Sequence, residues 1–253
     1  MIFRHHLWRY TVKHNRSSLA SQARYALTHP HRILPRLRRL ARRTWLRPEV
    51  VKSTAGGPEG APGSPSHRRW LALGRMQFDY LTKHGLKPEF TMLEIGCGNL
   101  RAGRLLIDYL DTGNYYGVDI SPDVLFAAQE TLVANGLRDK LPHLAPVRDL
   151  RFAFLPNGHF DVVHAHSVFS RSPLHVIEEC FAHVSRVMKP DGWFDFTFYR
   201  AGGGEQDVPR EDFSYRTETL VALADRYSLN AAFMDDWEQL PHKQSKIRIT
   251  KRT

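Results

Sequence analysis

From residue 67 onward, apolar positions follow two alternating periods. Stretches with apolar residues three and four apart predict helices over 68–84, 100–110, 122–135, 173–188 and 217–227. Between them, short β-branched and aromatic runs predict strands over 91–95, 115–118, 144–148, 160–165, 193–199, 231–237 and 246–251. Punctuation agrees with these boundaries: Ser121 before Pro122 and Asp123 is a helix start, Gly136 a stop, and Lys189-Pro190-Asp191-Gly192 a turn into the fifth strand. Ala201 to Asp207, AGGGEQD, reads as a mobile loop. Helices alternating with strands predict an α/β domain: a Rossmann-like sheet of seven mostly parallel strands, helices on both faces, and an antiparallel last strand.

The pattern is different before residue 67. Residues 1–53 carry thirteen Lys and Arg against one acid, Glu49, whereas the other 200 residues hold 23 of the 36 basic and 25 of the 26 acidic side chains. The whole +10 net charge therefore belongs to an N-terminal arm. Within it, ILPRLRRLARRTWLR (33–47) places Ile33, Leu34, Leu37, Leu40, Ala41 and Trp45 at helical intervals among arginines. Such a basic helical arm suits an anionic membrane surface, nucleic-acid phosphates, or docking on the chain's own globular part, and its Arg and Ser content also resembles a transit peptide. Residues 54–66, rich in Gly, Pro, Ser and Ala, read as a flexible linker, so the domain proper is expected over 67–253.

Length and composition narrow the class. With 253 residues and 42% apolar content the chain can bury a full core without metal or disulfide staples. Cys97 and Cys180 are its only cysteines, which suits a reduced, cytoplasmic setting, with the arm allowing a peripheral place at a membrane. No apolar run approaches the roughly 18 residues of a membrane-spanning helix.

The chemistry concentrates in TMLEIGCGNLRAGRLLIDYLDTGNYYGVDIS, residues 91–121. If both strands are parallel, Glu94, the glycines at 96 and 98, and Asp119 all reach the same C-terminal sheet edge, where open α/β sheets bind ligands. Two acids and a bare backbone at one edge suggest a nucleoside pocket. LEIGCGN, YYGVDIS, the D-x11-FDVV pattern from Asp149 to Val163, and KPDGWF occur in the order and spacing of class I S-adenosylmethionine-dependent methyltransferases, and residues 67–253 resemble that family. GCGNLRAG is similar to a bacterial subgroup associated with saccharide and polysaccharide biosynthesis. The dinucleotide alternative is weakened because its third glycine would fall at Arg101; the methyltransferase pattern would place one at Leu100, also absent.

The resemblance implies S-adenosylmethionine as cofactor. It assigns Gly96, Cys97 and Gly98 to the loop around the methionine part and Glu94 to the loop amides or the ammonium group. Asp119, followed by Ile120, would hold the ribose hydroxyls, and Asp149 with Leu150 the adenine. It also points to His166, directly after the fourth strand, as a base for a hydroxyl or amine acceptor, with His164 two residues away and Arg171 and Tyr199 at the pocket border. No cysteine or carboxylate accompanies His164 and His166 at metal-site spacing, and no metal is expected. The expected activity is methyl transfer to a small-molecule or glycan acceptor. The alternatives are a nucleic-acid methyltransferase using the basic arm, an oxidoreductase of the same general fold, and a cofactor-binding protein without catalysis.

Overall fold

The computed structural model describes residues 64–207 and 213–252. The basic arm expected over 1–53, and residues 54–63 of the linker, lie outside the described residues. Helix α1 (Pro65–Lys83) starts earlier than its periodicity predicts. The Ser64 side chain accepts the His67 N–H at 3.1 Å and Pro65 supplies a preset first-turn φ, so the last two linker residues are helical.

The chain then runs β1 (Met92–Ile95), α2 (Gly103–Tyr109), β2 (Tyr115–Asp119), α3 (Pro122–Ala134), β3 (His143–Pro146), β4 (Phe160–Ala165), α4 (Leu174–Val187), β5 (Met188–Arg200), β6 (Ser214–Tyr215), α5 (Thr217–Arg226), β7 (Leu229–Phe233) and β8 (Ser245–Lys251). The sheet order is β3-β2-β1-β4-β5-β8-β7, with β6 pairing β5 off this path. The pairings among β1 to β5 are parallel, and β8 is antiparallel to both neighbours, as expected of the last strand. The eighth strand is the two-residue β6, too short to leave a periodic trace in the sequence.

The strand expected over 231–237 is instead Leu229–Phe233, with Trp237 starting a short 3-10 turn, Trp237–Gln239, and two other expected boundaries differ for local reasons. Leu100 adopts φ 67°, which no helix admits, so α2 begins only at Gly103. Residues 189–192 are not a separate turn but the start of β5, whose register against β4 shifts between Phe160 and Val162. Gly192 permits this close approach: a Cβ there would lie 2.8 Å from the Phe160 carbonyl oxygen. The loop expected to be mobile is tethered. Gln206 bridges Ser214, and Asp207 Oδ1 accepts the Tyr215 hydroxyl at 3.1 Å.

Alternation along the strands sorts the two faces. Leu93, Ile95, Val163, Ala165, Phe194, Phe196 and Phe198 bury one face against α4 and α5. Met92 and Val162 bury the other against Leu81 and Leu86, α2 and α3. Each fully buried phenylalanine of β5 contributes on the order of 1.5–3 kcal/mol. Both cysteines are buried and unpaired. Among the described residues no helix is long and apolar enough to cross a membrane.

The topology positions the site. Strand order runs outward from β1 through β2 to β3, then returns to β4 on the other side of β1. Strand order reverses between β1 and β4, which makes their C-terminal ends the switch point, the crevice where open α/β sheets bind ligands.

Candidate active site

The β1–β2 end of the crevice is built around backbone amides. Gly96 and Gly98 have φ of 69° and 57°, a conformation that favours glycine. The N–H groups of Gly96 and Cys97 both donate to the Val118 carbonyl, at 2.7 and 3.1 Å, tying the loop to β2. A Cβ on Gly96 would meet Val168 Cγ2 at 2.5 Å, so this glycine lets the loop after β4 close in. Around Gly98 nothing lies within 4 Å of that position, and its backbone borders open space.

Asp119, 8% exposed, accepts the Gly98 N–H on Oδ2 at 3.0 Å and the Ser121 N–H on Oδ1 at 2.9 Å. Burial raises its carboxyl above the ordinary range, with these amides acting in the opposite direction. Each oxygen keeps a further lone pair for a ligand hydroxyl. Glu94 is buried below it and accepts the Tyr115 hydroxyl. Burial pushes Glu94 up to about 7, against the Tyr115 hydrogen bond and the nearby Arg101 charge.

The missing third glycine has a structural answer in two parts. Leu100 takes the left-handed conformation itself while burying its side chain completely. Close helix-to-strand packing comes from Gly103, where a Cβ would lie 2.7 Å from the Tyr115 hydroxyl. The glycine sits later in the chain than either pattern requires.

Of the remaining predicted cofactor residues, Cys97 turns its side chain under β2, since its Sγ would lie 3.0 Å from a Cβ on Gly117. Ile120 is 68% exposed at the rim. The Val147 N–H donates to the Asp119 carbonyl at 2.9 Å, bringing the segment that ends in Asp149 and Leu150 alongside β2. Asp149 is exposed and accepts the Arg151 N–H at 3.1 Å. Leu150 is buried in the core, and its N–H donates to Glu179 Oε2 at 3.0 Å.

The β4–β8 end has a different chemistry. Glu94, His164, Asp195 and Arg248 pair in register across β1, β4, β5 and β8, placing a polar row across the face that meets α1. Asp195, fully buried, receives two hydrogen bonds from Arg248, at 2.7 and 2.8 Å. One step further along, His166 follows β4, and Ser167 turns the chain at φ 60°. The Ser167 N–H donates to Thr197 Oγ1 at 2.8 Å, and Thr197 donates to Gln244 Oε1 at 2.6 Å. Gln244 also receives the Trp237 indole N–H on its carbonyl at 2.8 Å and donates to Ser170 Oγ at 3.0 Å, so it fixes the loops around His166.

His166 is buried, with its ring 4.7 Å from that of His242 and 5.8 Å from that of Trp237. Burial, then the charge of Arg101, holds its imidazole well below the ordinary value, and the same burial acts on His164. Neither ring nitrogen of either histidine has a hydrogen-bond partner. Lys246, fully buried, lies over the rings of Trp237 and Tyr80 at 4.2 and 4.7 Å, with no hydrogen-bond partner and Asp195 at 4.0 Å.

Arg171 and Tyr199 are not brought to this cluster: Arg171 is exposed in a short turn, and Tyr199 pairs with Ser214 of β6. Sequence reading missed Arg101, Asp195, Gln244 and Lys246. The alternation in DFTF and KIRIT does put Asp195, Thr197, Lys246 and Arg248 opposite the apolar residues, and that was the available signal. Among the described residues no group of three or more His, Cys, Asp or Glu side chains is arranged to hold a metal ion.

The strand order, the glycine loop on β1 and the acid ending β2 define the class I S-adenosylmethionine-dependent methyltransferase fold. Residues 93–194 match the family described as a methyltransferase domain, whose cofactor is S-adenosylmethionine. Solved structures agree on the fold. The PH0226 protein of Pyrococcus horikoshii OT3 is 18% identical, with 81% of this chain and 99% of that one covered at a TM-score of 0.60. Magnesium protoporphyrin IX methyltransferase of Synechocystis PCC 6803, with bound SAH, is 14% identical over 84% of this chain and 98% of that one, at 0.60. The [4+2]-cyclase SpnF is 17% identical over 85% of this chain and 94% of that one, at 0.58. A cyclase on the same fold is a reminder that the acceptor chemistry must be argued from side chains. The residues present fit the cofactor: open backbone at Gly98, a carboxylate with spare lone pairs at Asp119, and an exposed apolar side chain at Ile120.

Proposed function

We propose that this chain methylates an oxygen or nitrogen of a small-molecule or glycan acceptor held in the β1/β4 crevice. The observation that carries this reading is the juxtaposition of the open Gly98 loop and Asp119 with His166, whose following loop packs on Gly96 through Val168. Bound cofactor supplies a methyl group already activated on a sulfonium, so the protein's task is alignment, worth up to about 7–11 kcal/mol of the barrier. Asp119 would hold the ribose hydroxyls, its orientation fixed by its amide partners. Asp149 would accept from the adenine amino group. His166 is neutral at physiological pH, and its unprotonated ring nitrogen, without a hydrogen-bond partner, is free to take the acceptor's proton. Two buried, unpaired cysteines support a reduced, cytoplasmic setting.

Calorimetric titration with SAH tests the reading. The wild type should bind, and Asp119→Ala should bind at least about 30-fold more weakly, because two loop amides lose their acceptor along with the ribose contact. No binding of SAH to the wild type would sink the methyltransferase reading; equal binding would remove only the role of Asp119. His166→Ala should keep SAH affinity and lose about 10²–10⁴-fold in methyl transfer from labelled S-adenosylmethionine to a metabolite extract.

A further inference from the structure

We infer that the acceptor carries an oxyanion, a carboxylate or phosphate, seated against His166, His242 and Lys246 around Trp237, with Arg101 following the glycine loop on the cofactor's side. The inference rests on the methyl-transfer reading of the same crevice. The four side chains come from four places: the loop after β1, the end of β4, the segment before β8, and β8 itself. Trp237 gathers three of them, with the His166 ring at 5.8 Å, the His242 ring at 5.5 Å and the Lys246 ammonium at 4.2 Å. Arg101 adds its charge to both histidines.

Among the described residues, the one acid at ion-pair distance from the cluster, Asp195, 4.0 Å from the Lys246 ammonium, has both its oxygens held by Arg248. Glu94 is engaged by Tyr115, and Asp236 by the Tyr80 hydroxyl and His84, each at 2.8 Å. Arg101 Nε, both nitrogens of His166 and the Lys246 ammonium are buried with no hydrogen-bond partner. Buried polar groups are nearly always satisfied, and the single N–H of neutral His166 and the Lys246 ammonium, left without hydrogen bonds beside one ring at a ligand-binding edge, call for acceptor oxygens from outside the chain.

The cofactor's own carboxylate is a rival source of those oxygens. It can serve Arg101, which follows the glycine loop, but β8 stands three strand spacings from β1, about 14 Å, and Lys246 lies there. An oxyanion on the acceptor reaches Lys246 and leaves the cofactor's end unchanged. It also has a chemical consequence: a negative group beside His166 offsets the cations that suppress its basicity, so the correct acceptor improves its own base.

The test uses SAH-saturated protein titrated with benzoate, inorganic phosphate and, as the neutral control, benzamide. Either anion should bind and benzamide should not. Lys246→Met should weaken the anion about tenfold and His242→Gln about threefold, with SAH affinity within about twofold of wild type. The half-buried His242 keeps the test decisive if Lys246→Met does not fold. The inference fails if neither anion binds, if both variants bind it as wild type does, or if the anion competes with SAH and Lys246→Met weakens SAH itself, which would assign the seat to the cofactor's carboxylate. Failure of wild type to bind SAH would instead overturn the underlying methyltransferase reading.

Discussion

At the β1–β2 end of the crevice each buried acid has a donor beside it: the Tyr115 hydroxyl for Glu94, and the Gly98 and Ser121 amides for Asp119. At the β4–β8 end, Asp195 is paired, but His164, His166 and Lys246 are buried with no hydrogen bond. The donors that hold Asp119 are mostly backbone, present in every conformation the loop needs for its own folding. Those left open at the other end are side-chain nitrogens, which water would satisfy in the unfolded chain. One end is complete without its ligand, and the other is complete only with it.

The sharpest way to break this contrast is to remove the buried charges themselves. Lys246 is pushed down to about 8 from 10.5 by burial, so the unfolded chain binds the proton more tightly than the folded one. Its cost to stability is full below pH 8 and disappears as pH rises from 8 to 10.5, amounting to about 3 kcal/mol. Glu94 runs the other way. Raised to about 7 from 4.5, it makes the fold lose stability, by a similar amount, as pH rises through that window. Urea denaturation of Lys246→Met should show a protein more stable at pH 7 and without the alkaline rise. Glu94→Gln keeps an oxygen for the Tyr115 hydroxyl and should flatten the acidic window. If Lys246→Met is destabilised at pH 7, Asp195 and the Trp237 and Tyr80 rings outweigh the cost of burying the ammonium.

Unequal legibility follows from the same physics. The donor end was readable because its chemistry needs particular residue types close together in sequence: glycines where φ is positive, and an acid closing the next strand. Strand identities were readable for the same local reason, through period-two runs such as WFDFTFY. Lys246 and Arg101 are 145 positions apart in the chain and meet the same histidines only because β8 inserts beside β5. No local pattern announces that insertion, and a lysine in a last strand reads as an exposed edge charge. The helix boundary at Gly103 was missed because nothing in NLRAG announces that Leu100 would accept a left-handed conformation.

Leu100 offers a smaller test, confined to the donor end. Its φ of 67° costs about 1–2 kcal/mol that glycine would not incur, whereas losing a fully buried leucine costs about 2–5 kcal/mol. Leu100→Gly should therefore fold with roughly 1–3 kcal/mol less stability, while SAH affinity stays within about threefold. A net gain in stability would mean that backbone strain, and not packing, dominates at this position.

The smallest effect separates cofactor contact from folding at a single side chain. Ile120 is 68% exposed, so truncation removes almost nothing from the core, and Ile120→Ala should change stability by less than about 0.5 kcal/mol. Beside Asp119, this apolar side chain is placed where a bound ligand would cover it. Covering about half of the three lost carbons is worth about 1 kcal/mol, at about 0.8 kcal/mol for each buried CH₂. SAH should accordingly bind Ile120→Ala about fivefold more weakly by calorimetry, with a smaller negative heat-capacity change on binding. Unchanged affinity would place Ile120 outside the cofactor seat and confine that seat to the Gly98 loop and Asp119, with the apolar rim belonging to some other contact.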